Sequence, residues 1–129
     1  MKVSEIFNIE NEPVILEVIV SNNIVSNNNE IVVNSLNKVE EHSQDPSTQY
    51  HVPYIIEQED GYLVKIGKEK DHPMIPEHYI QMVELHVDDF LYRKYLNPGE
   101  SPHVFFKVPK GLKISAREFC NVHGLWKSF

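Results

Sequence analysis

The sequence predicts an all-β fold, a sandwich or barrel of short strands. Three features carry that expectation. Apolar and polar residues alternate through "GYLVKIG" (61–67) and nearly so through "HYIQMVELHV" (78–87), the two-residue period of a half-buried strand. Turns bearing proline and glycine, such as "NPGESP" (97–102) and "PKG" (109–111), separate the apolar runs. No segment holds an amphipathic helical period with caps at both ends.

Taken in order, the first third reads as strands broken by polar loops. "PVILEVIV" (13–20) and "EIVVN" (30–34) are rich in β-branched residues, and the asparagine-heavy "SNNIVSNNNE" (21–30) between them has loop composition. "KVEEHSQDPSTQY" (38–50) has no apolar period to bury and reads as a linker or extended crossing. From His51 onward the pattern sharpens, and "HVFFKV" (103–108) and "LKIS" (112–115) add further short β-type runs. There is no internal repeat.

With 129 residues, 41% of them hydrophobic, the chain suffices for one domain with a real core, or for one domain plus a short appendage. No stretch approaches the roughly 18 apolar residues of a membrane helix, and "MKVSEIFNIE" lacks an apolar signal core. The single cysteine cannot form an internal disulfide and suits a reducing compartment, so a soluble cytoplasmic protein is expected. The formal charge of −7 argues against nucleic acid as a partner. That charge is uneven: residues 104–129 carry Lys107, Lys110, Lys113, Arg117 and Lys127 against Glu118 alone. A basic stretch of this kind is either a solvated edge or a local field that attracts small anions.

The chemistry-bearing residues are the seven histidines and the lone Cys120. His42, His86 and His103 have nothing distinctive around them. His51 ("YHVP") and His72 ("DHPM") lie at or beside a proline, where the chain turns. His72 and His78 are joined by the short "PMIPE", and Cys120 and His123 have the spacing that lets a tight turn aim two donors at one ion. Imidazoles with one thiolate suit zinc, copper, iron or nickel. Four histidines and a cysteine exceed the four ligands of structural zinc, whereas five ligands leave one position open on iron, with the thiolate pushing electron density toward it. Two other readings stay open at this point. Cys120 could be a nucleophile with a histidine base, or a buried residue of a β-sandwich binding module.

Residues 49–129 resemble the iron domain of the superoxide reductases, the neelaredoxin and desulfoferrodoxin family. The resemblance rests on "HVP" (51–53), "KIG" (65–67), "HPM" (72–74), "HYI" (78–80), "PGESP" (98–102) and the long, specific "AREFCNVHGLWK" (116–127). It implies an immunoglobulin-like β-sandwich and one mononuclear iron per chain. The implied ligands are His51, His72, His78 and His123 in the equatorial plane and Cys120 axially, with the backbone N–H groups of Val122 and His123 tuning the sulfur. It also implies one-electron reduction of superoxide to hydrogen peroxide, re-reduction by a rubredoxin-like donor, and assembly into a homodimer or homotetramer, with no nucleic acid and no membrane.

The chain departs from the family pattern in two places. Most members carry Glu-Lys before the first histidine, and this chain has Gln49 and Tyr50, neither of which is charged at neutral pH. Lys70, or less favourably Lys68, of "GKEKDHPM" is the candidate substitute for the missing cation. The alternative is an iron-binding homologue with weakened superoxide activity, used in electron transfer or redox sensing. The second departure is at the N-terminus. "FNIENEPVILEVI" (7–19) and "EIVVNS" (30–35) resemble the small four-cysteine iron domain of two-iron members, yet the cysteine positions hold Ile9, Glu12, Val33 and Asn34. Residues 1–40 are therefore expected to be a metal-free, degenerate desulforedoxin-like segment, and residues 41–129 the iron domain.

Overall fold

The computed structural model describes residues 3–19, 36–45 and 50–128. The chain divides into two compact units, Met1–Glu40 and Glu41–Phe129. Among the described residues every regular element is a strand, so the all-β expectation holds.

The described residues of the first unit form a three-stranded sheet in the order β2-β1-β3, from β1 (Ile6–Ile9), β2 (Ile15–Glu17) and β3 (Leu36–Lys38). Phe7 pairs with Leu16 on one side and Lys38 on the other, both antiparallel. Of the described residues 13–19 of the long apolar run, three are strand. The "EIVVN" and asparagine-rich readings fall outside the described residues. Ile9 and Glu12 flank a turn closed by backbone bonds, Glu12 N–H to Ile9 O at 3.1 Å and Ile9 N–H to Val14 O at 3.4 Å.

The second unit has two sheets. β4 (Glu41–His42), β11 (Gly124–Lys127), β10 (Ile114–Cys120), β7 (Ile80–Val87) and β8 (Phe90–Tyr95) form one, in that order. β5 (Pro53–Gln58), β6 (Gly61–Ile66) and β9 (His103–Phe106) form the other. Among the described residues only β4 with β11 is parallel; the other pairings are antiparallel. Val64, Ile66, Val104 and Phe106 of the smaller sheet share one apolar core with Val83, Leu85, Val87 and Ala116 of the larger. These are the inward positions of alternating strands, so burial of one face of each sheet makes the sandwich.

Two details correct the sequence reading. The stretch read as a linker contributes β4, whose two residues are held by main-chain pairing to Leu125 and Trp126. Side-chain periodicity has no hold on so short an element. "FLYRKY" forms β8 at the sheet's edge, where alternation is blurred by exposed aromatics.

Candidate metal centre

Cys120 ends a strand, and the four candidate histidines lie in the segments that connect strands. β10 finishes at Cys120, which is fully buried. The pairing register slips opposite it, from Phe119 with Met82 to Cys120 with Ile80, leaving Gln81 as an extra residue in β7. The chain then turns through Asn121–His123 into β11, helped by Gly124 at φ 81°. His123 N–H points at the Cys120 sulfur, 3.4 Å away. Burial pushes the Cys120 thiol pKa up, and the amides of His123 and Val122 pull against that.

His72 follows β6 across a turn closed by its own N–H to Ile66 O at 3.2 Å. Gly67 makes that turn feasible: at φ 96° its missing Cβ would lie 1.9 Å from Lys70 O. The His72 ring donates from Nδ1 to Pro73 O at 2.7 Å. Its Nε2 is left buried, as a bare acceptor with no hydrogen-bond partner. His78 is held by a reciprocal backbone bridge with Ile75, at 3.1 and 3.0 Å. Asn121 anchors the same segment from the cysteine turn: it accepts from Tyr79 N–H at 2.9 Å and donates to Glu77 O at 3.2 Å.

His51 stands just before β5. The Asp45 carboxylate accepts both His51 N–H, at 2.6 Å, and Val52 N–H, at 2.9 Å, which fixes that backbone. The His51 ring stacks on Trp126 at 4.6 Å and 17°, and its Nδ1 lies 3.7 Å from the Glu118 carboxylate.

The four rings close on one another. Centroid separations run 4.7 Å (His51–His72), 4.7 Å (His72–His78), 4.9 Å (His78–His123) and 4.7 Å (His123–His51), with 6.3 Å across from His51 to His78. Donor atoms of His51, Cys120 and His123, and of His51, His72 and His78, lie within 4.8 Å of one another. His123 Nδ1 is 3.2 Å from His78 Nε2 and 3.9 Å from the Cys120 sulfur.

Such crowding carries an electrostatic signature. Burial, then the neighbouring histidines, lowers the His51 pKa to about 3. Burial lowers that of His72 to about 4, outweighing the Pro73 carbonyl. His78 is lowered by burial and His123. The His51 and His72 rings are therefore neutral bases at neutral pH, the form that ligates metal. Packing four imidazoles together with a thiol, two of them bearing a partnerless buried nitrogen, His51 Nδ1 and His72 Nε2, is costly for a protein that holds nothing there. The donor set fits a transition metal with nitrogen and soft sulfur ligands.

The remaining candidates are placed less centrally. Tyr50 is half-buried, and Lys70 Nζ lies 5.8 Å from its ring centroid. Lys68 Nζ lies 5.0 Å from the Tyr54 ring. Both lysines are exposed. Gln49 falls outside the described residues. The basic C-terminal stretch is partly spent on pairs, Arg117 with Glu84 at 2.7 Å and Lys110 with Glu57 at 3.1 Å, and Lys107, Lys110, Lys113 and Lys127 are exposed, which favours the solvated edge over an anion-attracting field. Sequence reasoning missed Asp45, Glu118, Asn121 and Trp126. Asp45-Pro46 carries a turn signal, whereas the others lay inside the quoted cysteine block with no signal of their own.

The family profile described as Desulfoferrodoxin matches residues 40–129. A desulfoferrodoxin of Desulfarculus baarsii is 43% identical over 88 residues, 68% of this chain and 68% of its own length. A superoxide reductase of Pyrococcus abyssi is 36% identical over 103 residues, covering 67% of this chain and 90% of its own. Among solved structures, the superoxide reductase of Treponema pallidum aligns with a TM-score of 0.62 at 32% identity, over 71% of this chain and 76% of its own.

Proposed function

Because the chain belongs to the desulfoferrodoxin family, we propose that residues 41–129 form a mononuclear iron domain that reduces superoxide to hydrogen peroxide. The family binds iron, and similarity to superoxide reductases supports an oxidoreductase. His51, His72, His78 and His123 are the proposed nitrogen ligands and Cys120 the thiolate. The observation that carries this reading is the closed ring of four imidazoles with a buried thiol beside it.

The protein's part is preparation. The Pro73 carbonyl holds the His72 proton on Nδ1 and so frees Nε2. Asp45, Asn121 and the Gly67 turn hold the ligand-bearing loops before any ion arrives. The Val122 and His123 amides stabilise the thiolate against its burial. When bound, the metal supplies the one electron that, with two protons, turns superoxide into hydrogen peroxide. A rubredoxin-like protein is the proposed donor that restores it. Lys70 is the proposed cation that draws superoxide in, supported by its place beside Tyr50. A free thiol suits a reducing cytoplasm, a homodimer or homotetramer is the proposed assembly, and residues 1–40 are proposed to be a metal-free relic domain.

Tyr50, a neutral phenol where the family carries lysine, favours one second reading: an iron protein of weakened superoxide activity serving electron transfer or redox sensing. One experiment separates the two. Reduced, iron-loaded protein is exposed to a superoxide pulse while peroxide and oxygen are followed. Peroxide without oxygen, at one per iron, supports the reductase; no reaction from protein holding one iron favours the second reading. Absence of iron removes both. Cys120→Ser is expected to abolish the sulfur-to-iron absorption band.

A further inference from the structure

Trp126 is the chain's only tryptophan and is 5% exposed. Three contacts define its place. One ring face lies almost parallel to His51, at 4.6 Å and 17°, the flattest contact that any ring makes with the four histidines. Its Nε1–H donates to the His123 carbonyl at 3.1 Å. His42 of the edge strand β4 packs against it at 4.9 Å. In the ladder it stands opposite Glu118, whose carboxylate faces the edge of the same His51 ring.

We infer that Trp126 is a positioning residue that sets His51 and His123 relative to each other. The inference rests on the metal reading above. The two histidines come from different sheets, His51 from the entry to β5 and His123 from the β10–β11 turn. Asp45 fixes the His51 backbone but leaves its ring free to turn about the side-chain bonds. The indole face removes that freedom, since rotating the imidazole would lift it off the stack. The indole N–H meanwhile ties down the carbonyl of the residue that presents the second ring. One rigid bicyclic side chain thus spans the gap between two ligands, with His42 backing it.

The test uses the full-length apoprotein and Co²⁺ as the probe, whose thiolate and ligand-field bands report coordination without turnover. Wild type is expected to bind one equivalent and to quench Trp126 fluorescence as it does so. Trp126→Leu, which loses the stack and the N–H, is expected to bind about 10–100-fold more weakly with shifted ligand-field bands. Trp126→Phe keeps an aromatic face and is expected to fall between, which a general packing defect would not produce. His42→Ala leaves both ligand contacts and is expected to stay within about threefold of wild type. Wild-type affinity and spectrum in Trp126→Leu overturn the inference alone. Should that variant not fold, Trp126→Phe decides: an unchanged Co²⁺ dissociation rate overturns the inference, and a faster one supports it. A wild type that binds no Co²⁺ and no Fe²⁺ overturns the metal reading and this inference with it.

Discussion

Glu84 and Glu118 are carboxylates of one five-stranded sheet, both with no exposed surface, yet they are treated oppositely. Glu84 sits on β7 directly across from Arg117 on β10 and Arg93 on β8. Arg117 Nε donates to it at 2.7 Å and Arg93 Nε at 2.8 Å, with Arg93 Nη2 and His86 also against it. Burial alone would raise its pKa, but His86, Arg117 and Arg93 outweigh that and hold it at about 2. Glu118, the next residue after Arg117, points to the other face. Neither of its oxygens has a hydrogen-bond partner, and burial, reinforced by Asp45, raises its pKa well above the carboxylate range. A buried carboxylate with cations is cement, whereas one without them is tolerated where something else needs it. What stands 3.7 Å from Glu118 is the proposed ligand His51.

Breaking the first carboxylate should have the largest effect. Glu84→Ala removes the buried carboxylate that Arg93 and Arg117, itself 5% exposed, both donate to, at a cost of about 3–5 kcal/mol. Urea denaturation of the apoprotein measures it. Metal affinity of the folded fraction should stay within about twofold, because no Glu84 contact reaches the five donors.

Glu118→Gln should do the reverse. Removing a carboxylate that has no cation relieves a desolvation penalty, so stability should hold or rise slightly. Metal affinity should fall about tenfold, near 1.4 kcal/mol, because the carboxyl group that stands 3.7 Å behind His51 Nδ1 is replaced by an amide. A parallel loss of stability and affinity in this variant would erase the distinction between the two residues.

Acid sharpens the same contrast. Between about pH 4.5 and 6.5 the unfolded apoprotein protonates histidines that the folded one keeps neutral, His51 at about 3 and His72 at about 4. The unfolded state then binds two more protons at these sites, so stability falls as pH falls. Glu118, with its raised pKa, keeps a proton in the fold that the unfolded chain has released, and cancels one of the two. The net slope is about 1.4 kcal/mol per pH unit, with His78 adding in the same direction. Below about pH 4.5 the Glu118 offset disappears and Glu84, held at about 2, begins to add its own loss, so the fall steepens. In Glu118→Gln the slope above pH 4.5 should approach about 2.7 kcal/mol per unit. Denaturant midpoints at half-unit pH intervals would show it, and an unchanged slope would count against an uncharged Glu118 in the native fold.

How legible these differences are in the sequence follows from their range. The sandwich could be read because alternation in β6 and β7 records which face is buried. The ligand candidates could be picked out because histidine beside proline and the Cys120–His123 spacing are local, and a resemblance joined them into one set. Glu84 and Glu118 could not be told apart: each is a lone acid in an apolar strand, and its partners lie on strands far along the chain. Asn121 and Trp126 were hidden for the same reason, since they act by holding segments that only the fold brings close. β4 escaped because two residues carry no period.

The smallest effect expected is at the rim, where a charge is neither buried nor paired within the core. Lys70 is exposed and lies over Tyr50, the residue preceding His51. Its field at the site is screened by water and falls off over about 8 Å at physiological ionic strength. Its loss cannot approach that of a buried group. Lys70→Ala should lower the rate of superoxide consumption about two- to fivefold at low salt, with the difference shrinking as salt is raised. Lys68→Ala, whose ammonium lies over Tyr54 instead, should have the weaker effect of the two. Pulse measurements across ionic strength discriminate: equal rates and equal salt dependence in wild type and Lys70→Ala would mean that the open side of this site attracts its anion without help from the loop after Gly67. The comparison of buried carboxylates would stand, because it depends on desolvation rather than on long-range attraction.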